Sequence, residues 1–145
     1  MFTVCESVIE GDEAQRSLGD FSCGAVAVFE GRVRNLNEGQ KVEGLEYQVY
    51  EELCYYVGEQ VIVEAKERFD VKEVRVFHRS GQLKLGEIAF WVGVSSVHRA
   101  ASFLALPYLV DEMKARLPIW KKEYYVSGVS RWIDCRQCRS KLQEH

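Results

Sequence analysis

The chain has 145 residues, enough for one domain with a real core. Its 22 acidic side chains outnumber 19 basic ones, for a net charge of −3, which argues against a general nucleic-acid surface but leaves room for a local basic pocket. The longest apolar runs, 88–94 and 103–110, fall well short of the ~20 residues a helix needs to cross a bilayer, so no membrane partner is expected.

In chain order, the first residues carry Glu6, Glu10, Asp12 and Glu13 where a secretory leader would be basic and then apolar, so a cytoplasmic protein with reduced thiols is expected. Residues 13–18 suit a short helix. Residues 24–34 alternate as a strand that ends at Arg32 and Arg34. The stretch 35–39 is a loop by composition, and 44–50 a second strand. From 51 to 69, Cys54, Val57, Val61, Ala65 and Phe69 recur at helical spacing. Residues 73–78 alternate again and end at Ser80-Gly81. A turn at Leu85-Gly86 precedes the strand 88–95. Ser96 is placed to cap a second long helix with Phe103, Leu106, Val110, Met113 and Leu117 as its buried stripe. Pro107 falls inside that helix and predicts a kink or break near Phe103. Residues 124–126 and 131–133 suit a hairpin around Ser127-Gly128.

Short turns favour hairpins over βαβ crossovers. The expected fold class is therefore α+β, a largely antiparallel sheet with two long helices. With no linker or repeat, one domain spans 1–145, ending in a polar tail at 136–145. No glycine-rich phosphate loop opens a helix, so neither a dinucleotide nor a nucleoside triphosphate is indicated. The five cysteines are scattered; Cys135 and Cys138 form a lone C-x-x-C without the further ligands a zinc site needs, so no metal is expected. Cys23 and Cys54 suit small core positions.

The segment 114–122 packs Lys114, Arg116, Lys121 and Lys122 around Pro118, which stops the helix. Lys114 and Lys121 then flank a bend and can converge on one anion. Ammonium groups brought close repel, which favours one neutral amine able to exchange a proton near neutral pH. A solvated cationic helix end, favoured by the helix dipole, is the other reading. Arg32 and Arg34 share a strand face, and His98-Arg99 opens a helix whose N-terminus attracts anions. Against a shared pocket stand ion pairs with Glu43, Glu46 or Glu51 for the arginines, a surface ion pair for Arg99, and a wet strand edge for His78-Arg79.

The motifs Phe29-x-Gly31-Arg32-Val33-Arg34-Asn35, His78-Arg79-Ser80-Gly81, Gly93-Val94-x-Ser96-x-His98-Arg99, Lys114-x-Arg116-x-Pro118-Ile119-Trp120-Lys121-Lys122 and Arg131-Trp132 follow in order over about 24–133. In that order and spacing the chain resembles the large, catalytic subunits of molybdopterin synthase. The resemblance implies an enzyme that adds two sulfurs to cyclic pyranopterin monophosphate to make molybdopterin. It implies a partner, a small ubiquitin-like subunit whose C-terminal glycine carries the sulfur as a thiocarboxylate. It also implies a homodimer within a heterotetramer and no cofactor. Matched by motif, Lys114 and Lys121 are the catalytic lysines. Arg32, Val33, Arg34, His98, Arg99, Lys122 and Glu123 are substrate-binding, and Arg131 reaches across the dimer.

The residue chemistry suits those roles. Arginine forks bind phosphate. Lys114 can orient the thiocarboxylate or hold an acyl oxyanion, and Lys121 is the candidate general acid/base. Which lysine does which stays open at this point. The rivals are a non-enzymatic anion-binding or adaptor domain and a sulfur carrier built on Cys135 and Cys138.

Overall fold

The computed structural model describes residues 1–137. Its central strand is β7 (Ile88–Ser96), buried from Ala89 to its end. β7 pairs antiparallel with β2 (Ala25–Arg32) on one side and with β5 (Glu73–Arg79) on the other. β1 (Phe2–Cys5) adds parallel to β5, for the order β1-β5-β7-β2. Because side chains alternate along a strand, β7 serves two cores. Phe90, Val92 and Val94 meet α2 (Glu51–Arg68) and α3 (Arg99–Arg116) through Val61, Ala65, Leu109 and Met113. Trp91 faces the other way, onto Ile9 and onto Ala14 of α1 (Gly11–Arg16). Each such buried apolar side chain is worth about 1.5–3 kcal/mol, so this two-sided strand anchors the fold.

A second sheet is built on β4 (Gln40–Val49). It pairs with β8 (Ile119–Tyr125), which in turn pairs with β9 (Trp132–Asp134). The start of β4 also pairs with β3 (Leu36–Asn37), and its residues 44–47 pair with β6 (Gly81–Lys84). A single 3-10 turn, Cys135–Gln137, follows β9. The fold is α+β with two long helices, as expected, but with two sheets in place of one and a parallel pair at β1-β5.

The differences from the sequence reading have local causes. The short helix sits two residues earlier, at Gly11–Arg16. The loop at 35–39 is a tight hairpin, β3-β4, turned by Glu38 (φ 49°) and Gly39 (φ 79°), both left-handed. The turns at Ser80-Gly81 and Leu85-Gly86 are not hairpins. They are corners at which β6 leaves the first sheet for β4 and the chain then returns to β7, with positive φ at Gly81 and Gly86. The last two strands do pair antiparallel, but residues 120–122 and not 124–126 form the arm opposite β9, with Lys122 facing Trp132.

Helix α3 runs unbroken through Pro107, against the expected break. Of the expected stripe, Val110, Met113 and Leu117 are buried and Leu106 packs partly against the core, so only Phe103 fails. Ser102, Ala105, Leu109, Val110 and Met113 are buried, whereas Phe103 is 67% exposed. Ser96 does not cap the helix; its hydroxyl donates to the His98 carbonyl and contacts the Ser102 hydroxyl, and His98 is the cap residue. Among the described residues no helix is long and apolar enough to cross a membrane.

Candidate active site

Where α3 ends, Leu117 leaves the helical region and Pro118 turns the chain into β8. The bend is pinned from α2. The Pro118 carbonyl accepts the Tyr50 N–H at 3.3 Å and the Cys54 thiol at 3.7 Å. Cys54 is fully buried, and burial pushes its thiol up to about 12, so it is a donor here and not a nucleophile. Lys114 and Lys121 therefore stand on two elements joined by a fixed corner.

That corner borders a cavity of about 200 Å³ between the two sheets. Arg32, Val33 and Arg34 reach it from the end of β2, where a bulge at Gly31/Arg32 bends the strand. Tyr47 comes from β4, His78 from β5, Phe90 from β7, Met113 and Lys114 from α3, and Lys121 and Glu123 from β8. Asn37 closes one side from the β3-β4 hairpin, and Cys135 lines another. Six sequence-identified residues thus meet here: Arg32, Val33, Arg34, Lys114, Lys121 and Glu123.

Four do not border the cavity. His98 and Arg99 lie at the other end of α3, about 24 Å of helix from Lys114. Lys122 points to the opposite face of β8, its ammonium 5.5 Å from the Tyr124 ring centre and 5.7 Å from that of Trp132. Arg131 stands in the loop before β9.

Within the cavity the charges are paired in a specific way. The Lys121 ammonium lies 3.2 Å from Glu123 Oε1, so a carboxylate stands beside it where sequence reading anticipated only crowded cations. Glu123 is buried, and burial raises its pKa. Hydrogen bonding from Tyr125, the charge and hydrogen bond of Lys121, and a hydrogen bond from Asn37 outweigh that and hold it below the usual carboxylate range. The Lys114 ammonium sits 5.6 Å from the centre of the Phe90 ring, a cation–π distance. Arg32 forms an exposed ion pair with Glu30 at 2.7 Å, not with the glutamates the sequence suggested.

His78 and Arg79 are buried, not at a wet edge. Arg79 donates to the Glu6 and Gln82 carbonyls and pairs with Glu87, tying the sheet crossover together. His78 donates Nδ1–H to the Arg79 carbonyl at 2.8 Å, and its ring meets Tyr47 edge-on at 4.9 Å. Burial lowers its pKa to about 4; the Arg79 hydrogen bond opposes this, and Lys114 adds to it. The imidazole is neutral near pH 7.

Sequence reading missed Asn37, Tyr47, Phe90 and the cavity role of His78. Asn37 hid in a stretch read as a loop. The aromatic residues carried no charge to mark them. Cys138 lies outside the described residues, so only the Cys135 half of the C-x-x-C has a place here. Among the described residues no group of three or more His, Cys, Asp or Glu gathers as a metal site.

In sequence and in fold the chain is similar to known proteins. The family described as MoaE protein matches residues 4–116. The molybdopterin synthase catalytic subunit of Rattus norvegicus is 36% identical over 140 residues, covering 92% of this chain and 70% of that one. The molybdopterin synthase structure from Staphylococcus aureus superposes with a TM-score of 0.84 at 32% identity, covering 90% of this chain and 94% of that chain. The protein–protein complex of subunits 1 and 2 of molybdopterin-converting factor from Helicobacter pylori shares the fold, with a TM-score of 0.75 at 20% identity over 98% of this chain and 94% of that one. This chain belongs to the MoaE family and functions as a molybdopterin synthase catalytic subunit.

Proposed function

We propose that the cavity holds cyclic pyranopterin monophosphate against a thiocarboxylate tail delivered by a small ubiquitin-like subunit. The observation that carries the reading is that Lys114 and Lys121, on two elements, share one cavity with Arg32 and Arg34. Two anions must meet here, a phosphate and a thiocarboxylate. Arg32 and Arg34 bind the phosphate at the rim, and Val33, which lines the cavity between them, packs against the pterin. Lys114 faces the thiocarboxylate. The sulfur bonds to a pterin side-chain carbon while a hydroxyl on that carbon takes a proton from Lys121 and leaves as water. Water then cleaves the acyl–sulfur bond. The small subunit leaves as a carboxylate and the sulfur stays on the pterin. Lys114 stabilises the oxyanion of that cleavage. A second thiocarboxylate repeats the sequence. Glu123 keeps Lys121 in place.

His98, Arg99 and Arg131 serve the substrate of a second copy across a homodimer, and small subunits dock to complete a heterotetramer. Phe103 and Leu104, exposed at 67% and 62% on the first turns of α3 beside His98 and Arg99, support an apolar contact there. Lys122 assists binding from the outer face of β8. The reaction suits the reduced thiols of a cytoplasmic protein.

The test is to mix the purified chain with thiocarboxylated small subunit and cyclic pyranopterin monophosphate and to assay molybdopterin. The reading expects product, with little change for the Cys135→Ser/Cys138→Ser double variant. No product from any form supports an adaptor domain. Loss confined to the cysteine variant supports a cysteine-based carrier.

A further inference from the structure

Glu123 has two carboxylate oxygens with different partners. Oε1 faces the Lys121 ammonium at 3.2 Å. Oε2 accepts two hydrogen bonds, from Asn37 Nδ2 at 2.9 Å and from the Tyr125 hydroxyl at 2.8 Å. We propose that Asn37 and Tyr125 are positioning residues that aim Lys121 through Glu123. The inference rests on the role given to Lys121 above.

A carboxylate is planar, so two donors on Oε2 fix the direction of Oε1. The donors come from independent elements, Asn37 from the β3 arm of the hairpin and Tyr125 from β8 itself. Glu123 keeps only 7% of its side chain exposed, too little for water to replace both donors. A buried carboxylate without donors is costly and tends to take up a proton. Protonated or rotated, it no longer holds the ammonium. The arrangement also gives the β3-β4 hairpin a part in the chemistry. Its left-handed turn at Glu38 and Gly39 places Asn37 at the cavity wall, 86 positions from the residue it touches. Tyr125 follows Glu123 by two positions and so shares its strand face.

The rival is that both bonds merely clip a hairpin to a sheet. The experiment compares Asn37→Ala, Tyr125→Phe, Glu123→Ala and the combined variants with the unchanged chain. Two readouts are taken: steady-state kinetics with thiocarboxylated small subunit and pterin precursor, and the titration of Lys121 followed by NMR of ¹⁵N-labelled lysine side chains. Each single variant is expected to lower kcat about tenfold with KM within about twofold, less than the 10²-fold that a misplacement of 1 Å can cause. The acid limb of the kcat profile moves to higher pH, because Glu123 loses donors that keep it ionised. Lys121, loosened from its carboxylate, titrates at lower pH. In the Glu123→Ala background, Asn37→Ala and Tyr125→Phe have no further effect. An unmoved Lys121 titration overturns the proposal, as does a kcat loss that persists undiminished without Glu123. If the unchanged chain makes no product yet the variants shift Lys121, the positioning role stands and the reaction assigned above falls.

Discussion

Lys121 and Lys122 are neighbours in the chain, yet β8 sends them into different surroundings. The inward face carries Ile119, Lys121 and Glu123 into the cavity, where the ammonium meets a buried carboxylate. The outward face carries Trp120, Lys122 and Tyr124. There Lys122 lies over two aromatic rings, Trp120 packs on Tyr50, and the Tyr124 hydroxyl donates to Glu46. One face concentrates charge where a substrate can reach it, and the other stitches β8 to its neighbours. The lesson is that a dense cationic motif is not a dense cationic pocket; strand alternation selects which charges face the chemistry.

The difference can be attacked first through Lys114, which faces the same cavity from α3. Lys114→Ala is expected to reduce molybdopterin formation about 10²-fold or more, the scale of a lost proton-transfer or oxyanion group, with circular dichroism unchanged. An effect under tenfold breaks the pairing of the two lysines.

The cavity wall behind Lys114 sharpens the comparison through stability. The folded-state pKa of His78 is about 4, against an ordinary 6.5. Between those values the unfolded chain binds a proton that the folded chain refuses, so stability rises with pH across that window. The contribution is full above pH 6.5 and is lost as pH falls towards 4, on the order of 3 kcal/mol in all. Urea unfolding at pH 7, 5 and 4 checks it: His78→Gln removes that part of the acid loss, and an identical pH slope in both proteins refutes the buried neutral imidazole.

Next in size is Glu123→Gln, which keeps the shape and removes the charge beside Lys121. It is expected to lower kcat about tenfold, with the larger loss in kcat and not in KM. The smallest effect belongs to the outward face. Tyr124→Phe removes a half-buried hydrogen bond to Glu46 and is expected to change stability by less than about 1 kcal/mol and activity by less than about twofold.

Much of the fold and part of the site can be read from the sequence. The helix 51–69 follows from periodicity, because one stripe is buried against the core, and the strand 88–95 follows from a continuous apolar run, because both of its faces are covered. Pro118 marks its corner together with the strand that follows it, since α3 runs on through Pro107 and a proline alone does not end this helix. The rest depends on contacts between distant segments. Gly81 and Gly86 have the same φ in a hairpin turn as in a corner between sheets, so composition does not separate the two. Phe103 looks like core because it is apolar at helical spacing, but apolar character does not say whether a core or another chain covers it. Arg32, Arg34, Lys114 and Lys121 were identifiable by charge and motif. Asn37 was not, because its value comes from a carboxylate far along the chain.

The most direct test sets Lys121→Ala beside Lys122→Ala in one assay of molybdopterin formation with saturating thiocarboxylated small subunit. The account predicts about a 10²-fold or greater loss of kcat for Lys121→Ala and about a threefold loss, seen mainly in KM, for Lys122→Ala. Equal losses in the two variants, or the greater loss at Lys122, contradict it.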